Sequence, residues 1–343
     1  MNRPEPGAPA GLGGGVVFAL AVVYLVWGST YLAIRFAIES IPPFTMAGLR
    51  FLVAGGLLYL FARGTGAPRP RRAHWGVSAA IGAFLLLGGN GGVVWAEQHV
   101  ASGVTALLVA VEPVWIALLA PLVLGHRRAG ARVALGLVAG VLGVAVLVLD
   151  PRGLDPTSVD PLGAAVVVGA ALSWALGSLV SLRLVLPESR ALASGMQMLA
   201  GGVLLVFAGG LTGEWSRLGA TTPSLRSWVA FGYLVVFGSI VAFSAYAWLL
   251  RAARPTVAAT YAFVNPVVAV LLGWAVAGEP LTARVGVAAV LILAAVALLI
   301  SDGRRSRSPA GAALRQRQRA SGSEEATAAP AAEEPEMAEA SSF

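Results

Sequence analysis

Ten apolar runs of close to twenty residues each, separated by short breaks of Pro, Gly and Arg, constrain this chain more than any other feature. A helix needs roughly 20 apolar residues to cross a bilayer, where its backbone must satisfy its own hydrogen bonds. The runs fall at about 16–36, 43–62, 76–96, 103–124, 132–149, 161–182, 191–211, 228–250, 256–277 and 283–301. Breaks such as "IPPF" (41–44), "GAPRPRRAH" (66–74), "GHRR" (125–128) and "DPRGLDPTSVDP" (150–161) are too short to hold another domain. The expected fold is therefore an all-α integral membrane protein of ten transmembrane helices. The balance of 57% hydrophobic and 12% charged residues agrees, since a soluble domain carries about 25% charged residues. The first run is too long for a signal-peptide core and lacks a convincing cleavage site.

Charge sets the orientation. All 24 basic residues are Arg. With the N-terminus in the cytoplasm, 18 arginines fall in cytoplasmic segments and 5 outside, and Arg50 lies within the second helix. The positive-inside rule then places both termini in the cytoplasm of a multi-pass protein. Arginines at membrane edges also account for the pI near 10.7, so no nucleic-acid partner is implied. The absence of Lys excludes a Walker A phosphate loop and a lysine Schiff base. The absence of Cys excludes disulfides and thiolate metal sites, and His74, His99 and His126 lie apart, so no metal or cofactor is expected. "GGNGG" at 88–92 sits inside an apolar run and reads as close helix packing through Gly88 and Gly92. Residues 302–343, rich in Ala, Glu, Ser, Pro and Arg, read as a disordered cytoplasmic tail. Residues 1–15 form a short cytoplasmic N-terminus.

The chain repeats itself at an offset of 153 residues. "SGVTALLVAVEPVWIALLAPLVLG" (102–125) lies over "PTVAATYAFVNPVVAVLLGWAVAG" (255–278), with Pro113 on Pro266, Gly125 on Gly278 and Glu112 on Asn265. Trp95 meets Trp248 at the same offset. Each half, 16–150 and 161–301, holds five runs. An odd number sends the second half into the membrane from the opposite side, giving two inverted five-helix repeats, a mark of many secondary transporters. Such carriers hold a small-molecule substrate near the midplane between the halves. Pro113 and Pro266 fall at that depth as candidate hinges, each removing a backbone donor.

A carboxylate at mid-membrane costs on the order of 2.5–3.5 kcal/mol on insertion scales, so Glu112 reads as a functional residue. Arg50 is the other strongly charged residue well inside a run, and their depths allow a direct pair that would hold Glu112 or simply staple two helices. Polar and aromatic residues share helical faces with this pair. Tyr24, Trp27 and Tyr31 are spaced i, i+3, i+7; Trp174, Ser178 and Ser181 i, i+4, i+7; Tyr261 and Asn265 i, i+4. Thr105 and Trp115 share the Glu112 face, and Asn90, Ser244 and Trp248 complete the set. The expected substrate-binding residues are Trp27, Tyr31, Arg50, Asn90, Glu112, Trp174, Ser178, Tyr261 and Asn265. Core packing is the plainer reading for any one of them.

"WGSTYLAIRFAIESIPPFTMAGLRFLVAG" (27–55), the two proline-bearing helices and "GEPLT" (278–282) resemble the EamA-type branch of the drug/metabolite transporter superfamily over about 16–301. The resemblance implies a ten-helix carrier of the bacterial inner (plasma) membrane with two inverted repeats, and an exporter of amino acids, other small metabolites or drugs. The family's first-helix motif falls on Trp27, Gly28 and Ser29, its second-helix arginine on Arg50, its prolines on Pro113 and Pro266, and its Gly-Glu on Gly278 and Glu279. The first half departs from it, reading Gly125-His126 where Gly-Glu is usual.

Two other classes compete. A membrane enzyme needs a nucleophile and base, or paired acids, at one face; Glu97, Gln98 and His99 share a rim, but no partner cluster emerges. A non-transporting scaffold or receptor leaves the polar residues at mid-depth unexplained. The expectation is a secondary transporter working by alternating access, not an enzyme, with protons a possible coupling ion and either a monomer or a homodimer as its assembly.

Overall fold

The computed structural model describes residues 14–124, 131–149, 159–217, 222–252 and 261–305. The described residues are helical, with no strand among them. α1 spans Gly14–Ile38 and α2 Pro43–Gly64. The Pro42-Pro43 pair suits this corner, since Pro fits the first turn of a helix, where its missing N–H is not required. α3 runs over Arg72–Ala96. α4 comes in two pieces, Ser102–Val109 and Glu112–Leu124, and α5 spans Ala131–Val148. α6 spans Pro161–Ser181 and α7 Arg190–Leu211. α8 runs on through Leu225–Tyr233, Leu234–Val241 and Ala242–Ala252. α9 is Tyr261–Ala277 and α10 Ala283–Arg305.

Seven helical stretches among the described residues are long and apolar enough to cross a bilayer, where the sequence leads one to expect ten. The apolar stretches in α5 (Ala134–Leu147), α9 (Val264–Ala277) and α10 (Ala283–Leu298) are shorter. Two of them border residues 125–130, 150–158 and 253–260, which lie outside the described part, as does the tail from 306. The expectation of a disordered tail over 302–343 falls on those residues from 306 onward, whereas 302–305 complete the last turn of α10.

Small residues let the helices approach closely. A Cβ on Gly48 would come within 2.6 Å of Val206 Cγ2, and one on Gly55 within 2.8 Å of the Leu199 amide, so α2 and α7 touch nearly backbone to backbone. Gly92 packs against Ala170, and Gly88 against Ser173, as the "GGNGG" reading expects. Large apolar side chains such as Phe18, Leu60, Phe61, Phe207 and Leu211 are instead exposed. That inverts the soluble pattern and suits a lipid surround.

Two π-helical segments, Ala83–Asn90 in α3 and Leu234–Val241 in α8, interrupt helices that the sequence repeat aligns. π turns leave carbonyls without their usual partners and recur at functional sites. Here hydroxyls take them up: Ser173 donates to Phe84 O at 2.8 Å, and Ser239 donates to Leu234 O at 3.0 Å.

Candidate functional site

The break in α4 follows from Pro113. Its ring has no N–H and would clash with the carbonyl four residues back, Val109. The helix accordingly stops at Val109, turns through Ala110 and Val111, and restarts at Glu112. Glu112 is thus the first residue of a new helix, where free amides and the helix dipole stabilise a carboxylate. Ten residues from Ser102, it lies about 15 Å along the axis from that end. Pro266 behaves differently: the described α9 runs through it, with its ring meeting only the first turn.

Glu112 stands beside an aromatic cluster. Trp27 of α1 lies 5.1 Å from Tyr246, 5.3 Å from Tyr261 and 6.1 Å from Phe243, centroid to centroid, and its indole N–H donates to Gly238 O at 3.3 Å. The charge of Glu112 reaches the phenols of Tyr31, Tyr246 and Tyr261. Asn265, one turn after Tyr261 on α9, is buried with its side-chain oxygen unpartnered, and its backbone carbonyl lies close against Gly28. Trp27, Tyr31, Glu112, Tyr261 and Asn265 therefore do come together, drawn from α1, α4 and α9.

Arg50 does not hold Glu112. The ion pairs among the described residues are Arg35–Glu279 at 3.8 Å and Arg226–Glu39 at 3.2 Å. Arg50, only 5% exposed, donates from Nε to Ser239 Oγ at 2.8 Å and stacks over Phe51. Equal depth in the membrane does not make two side chains face each other. The α8 π segment presents Ser239 to the guanidinium, and the acid whose charge Arg50 feels is Glu97. Trp174 is not in the cluster either; it covers Gly89, where a Cβ would meet its ring at 2.9 Å. Ser178 offers its carbonyl to the Ser181 hydroxyl. Asn90 ends the α3 π segment with its side-chain oxygen buried and unpartnered. Ser244 lines a surface groove with Leu57, Leu58, Phe61 and Ile240, and Trp248 is largely exposed, so neither faces the cluster.

Glu97 follows the last turn of α3 at the rim of the bundle, yet it is 1% exposed and neither carboxyl oxygen has a partner among the described residues. Burial, reinforced by Glu279, holds its carboxyl well above the usual carboxylate range against the opposing pull of Arg35 and Arg50. Arg35 donates to the Glu97 backbone carbonyl at 3.3 Å. Tyr246 and Ser239 carry no mark in the sequence; a lone serine in "VVFGSIVAF" gives no signal until α8 is wound with a π turn.

The same end carries two matching corners. Gly213 (φ +76°) precedes Glu214, whose carboxylate accepts from Phe44 N at 3.0 Å, Thr45 N at 2.8 Å and Thr45 Oγ1 at 2.8 Å, capping α2. Gly278 (φ +68°) precedes Glu279, which accepts from Ser102 N and Oγ at 2.7 Å and Gly103 N at 2.9 Å, capping α4. Left-handed backbone favours glycine there, and the glutamate neutralises free amides at a positive helix end. The Gly-Glu of "GEPLT" thus has a structural task, beside a cleft of about 240 Å³ that His99, Glu279 and Arg284 help to line.

A helical bundle with lipid-type surfaces and polar groups left open in its interior is built as a membrane transporter. Comparison with known proteins agrees: the EamA-like transporter family matches residues 14–149 and 161–301. The chain belongs to that family. It is 41% identical over 282 residues to the inner membrane transporter YedA of Escherichia coli (strain K12), covering 82% of this chain and 89% of that one. It is 25% identical over 284 residues to the "Probable amino-acid metabolite efflux pump" of the same organism, covering 81% and 91%. Over 134 residues, 38% of this chain and 44% of the relative, it is 34% identical to the "Probable terminal-alkyne amino-acid exporter" of Streptantibioticus cattleyicolor. A solved crystal structure superposes with a TM-score of 0.57 at 19% identity, covering 84% of this chain and 98% of the other, a likeness of fold.

Proposed function

We propose that this protein is a secondary exporter of small organic solutes, amino acids or related metabolites foremost, in the bacterial inner membrane. Ten helices in two inverted halves, 16–150 and 161–301, would rock about a midplane site, with both termini in the cytoplasm. One observation carries the reading: Glu112 sits at a helix break inside the bundle, with no hydrogen bond or ion pair among the described residues. Its charge reaches Tyr31, Tyr246 and Tyr261, from three other helices, and Trp27 packs against the last two. A half-buried carboxylate with that surround inside a membrane bundle is costly unless something exchanges on it, such as a proton or a substrate amine. The relatives named for amino-acid efflux and export support the substrate class, and the break beside Pro113 supports a hinge there.

The test is export from cells preloaded with labelled amino acids, with and without overexpression. Faster efflux of at least one, abolished by Glu112→Gln at normal protein level, is expected. Wild-type efflux in Glu112→Gln across pH would remove the carboxylate from the mechanism. No effect of overexpression on any solute tried, in cells or in proteoliposomes, would overturn the function.

A further inference from the structure

We propose that Arg50 and Glu97 form a split clamp for the head group of a zwitterionic amino acid, the guanidinium taking its α-carboxylate and Glu97 its α-ammonium. The proposal rests on the exporter reading and adds the atoms that would read the substrate. Both side chains are more than nine-tenths buried, at 5% and 1% exposure. Arg50 Nη1 and both Glu97 oxygens lack any hydrogen-bond partner. Buried polar atoms in folded proteins are nearly always satisfied, so three open atoms of opposite charge call for a ligand.

The two groups lie on packed neighbours. Phe51, Ala47 and Met46 of α2 share a core cluster with Val93 and Val94 of α3, the last turn before Glu97. The charges act on each other, yet no ion pair within 4.0 Å joins them. A zwitterion's short head group would join them through two charge-assisted hydrogen bonds of about 2.8 Å each, one at either charged end. Ser239 fixes the guanidinium through Nε and leaves Nη1 open. Arg35 and Tyr31 from α1 and Glu279 from the α9–α10 corner are the other charged or titratable groups whose influence reaches Glu97. Arg35 is already engaged with Glu279 and with the Glu97 carbonyl, which leaves the Glu97 carboxyl for the incoming ammonium, the proton that burial holds there being released to solvent as the ammonium binds.

The experiment measures binding to the purified full chain in lipid nanodiscs by tryptophan fluorescence. The probes are L-alanine, L-leucine, L-phenylalanine and L-threonine, each with its amide and its deaminated acid. At least one amino acid should bind, with both of its analogues tenfold weaker or more. Glu97→Gln should erase the preference over the deaminated acid and keep the preference over the amide, and Arg50→Gln should do the reverse. A merely structural role would move both preferences together. If either variant fails to fold, the wild-type comparison decides: an amide or deaminated acid that binds as tightly as its amino acid overturns the clamp. Binding of none of the four, with another solute transported, overturns the clamp and leaves the exporter reading standing. Failure of every solute in both binding and transport sinks the two together.

Discussion

Ser239 accepts the Nε–H of Arg50 and gives its own proton to Leu234 O, so the guanidinium depends on one hydroxyl in a π turn. Ser239→Ala would leave a buried charged donor without its acceptor and should cost about 1–3 kcal/mol of stability, read by unfolding in mixed detergent. Glu97 makes a prediction of its own. Its folded-state carboxyl lies above the ordinary value of 4.5, so the folded protein holds a proton that the unfolded chain releases first. Stability should therefore fall as pH rises from about 4.5 toward that raised value. Glu97→Gln, which carries no titrating proton, should flatten this slope in a thermal-midpoint series; an unchanged slope would show that another group causes it. At this scale the sequence reveals which residues are costly but not whom they meet. Glu112, Trp27 and Tyr261 stand out as polar or aromatic positions in apolar runs. Arg50's partner depends on a π turn that no periodicity announces, and Glu97 hides at the end of a run where charge is ordinary.

Helix ends govern the next scale. Glu279 neutralises three donors at the start of α4, and Glu214 does the same at α2. Glu279→Ala and Glu214→Ala should each cost about 1 kcal/mol, typical of a lost cap. Glutamine, which keeps an acceptor oxygen, should cost less at both. Between α2 and α7, Gly48→Leu drives a side chain into Val206 and should cost about 1–3 kcal/mol or more, measured as lost folded yield. Helix positions are highly legible in this chain because lipid demands unbroken apolar runs, and the structure's helices begin and end within a few residues of them. The kind of helix is less so. Pro113 and Pro266 align in sequence, yet one stands at a break in its helix and the other lies within the first described turns.

For the whole molecule, the corners gather residues 39–42, 97–101, 214–217, 222–227 and 279–284 at one end, where polar contacts cross between helices. The proposed orientation, with both termini in the cytoplasm, would put that end outside the cell. A cysteine at Glu39 or Ser216 should then react with an impermeant reagent on intact cells, and one at Arg69 or Glu188 should not; the reverse pattern would invert the topology. The corners also set a schedule. Glu214 follows its α2 partner by 170 residues and Glu279 follows Ser102 by 177. A ribosome adding about 5–20 residues per second leaves each helix start without its carboxylate for roughly 10–35 s. Through that interval the early helices wait in the bilayer half-finished, and a chain stalled before residue 214 has no means of completing them.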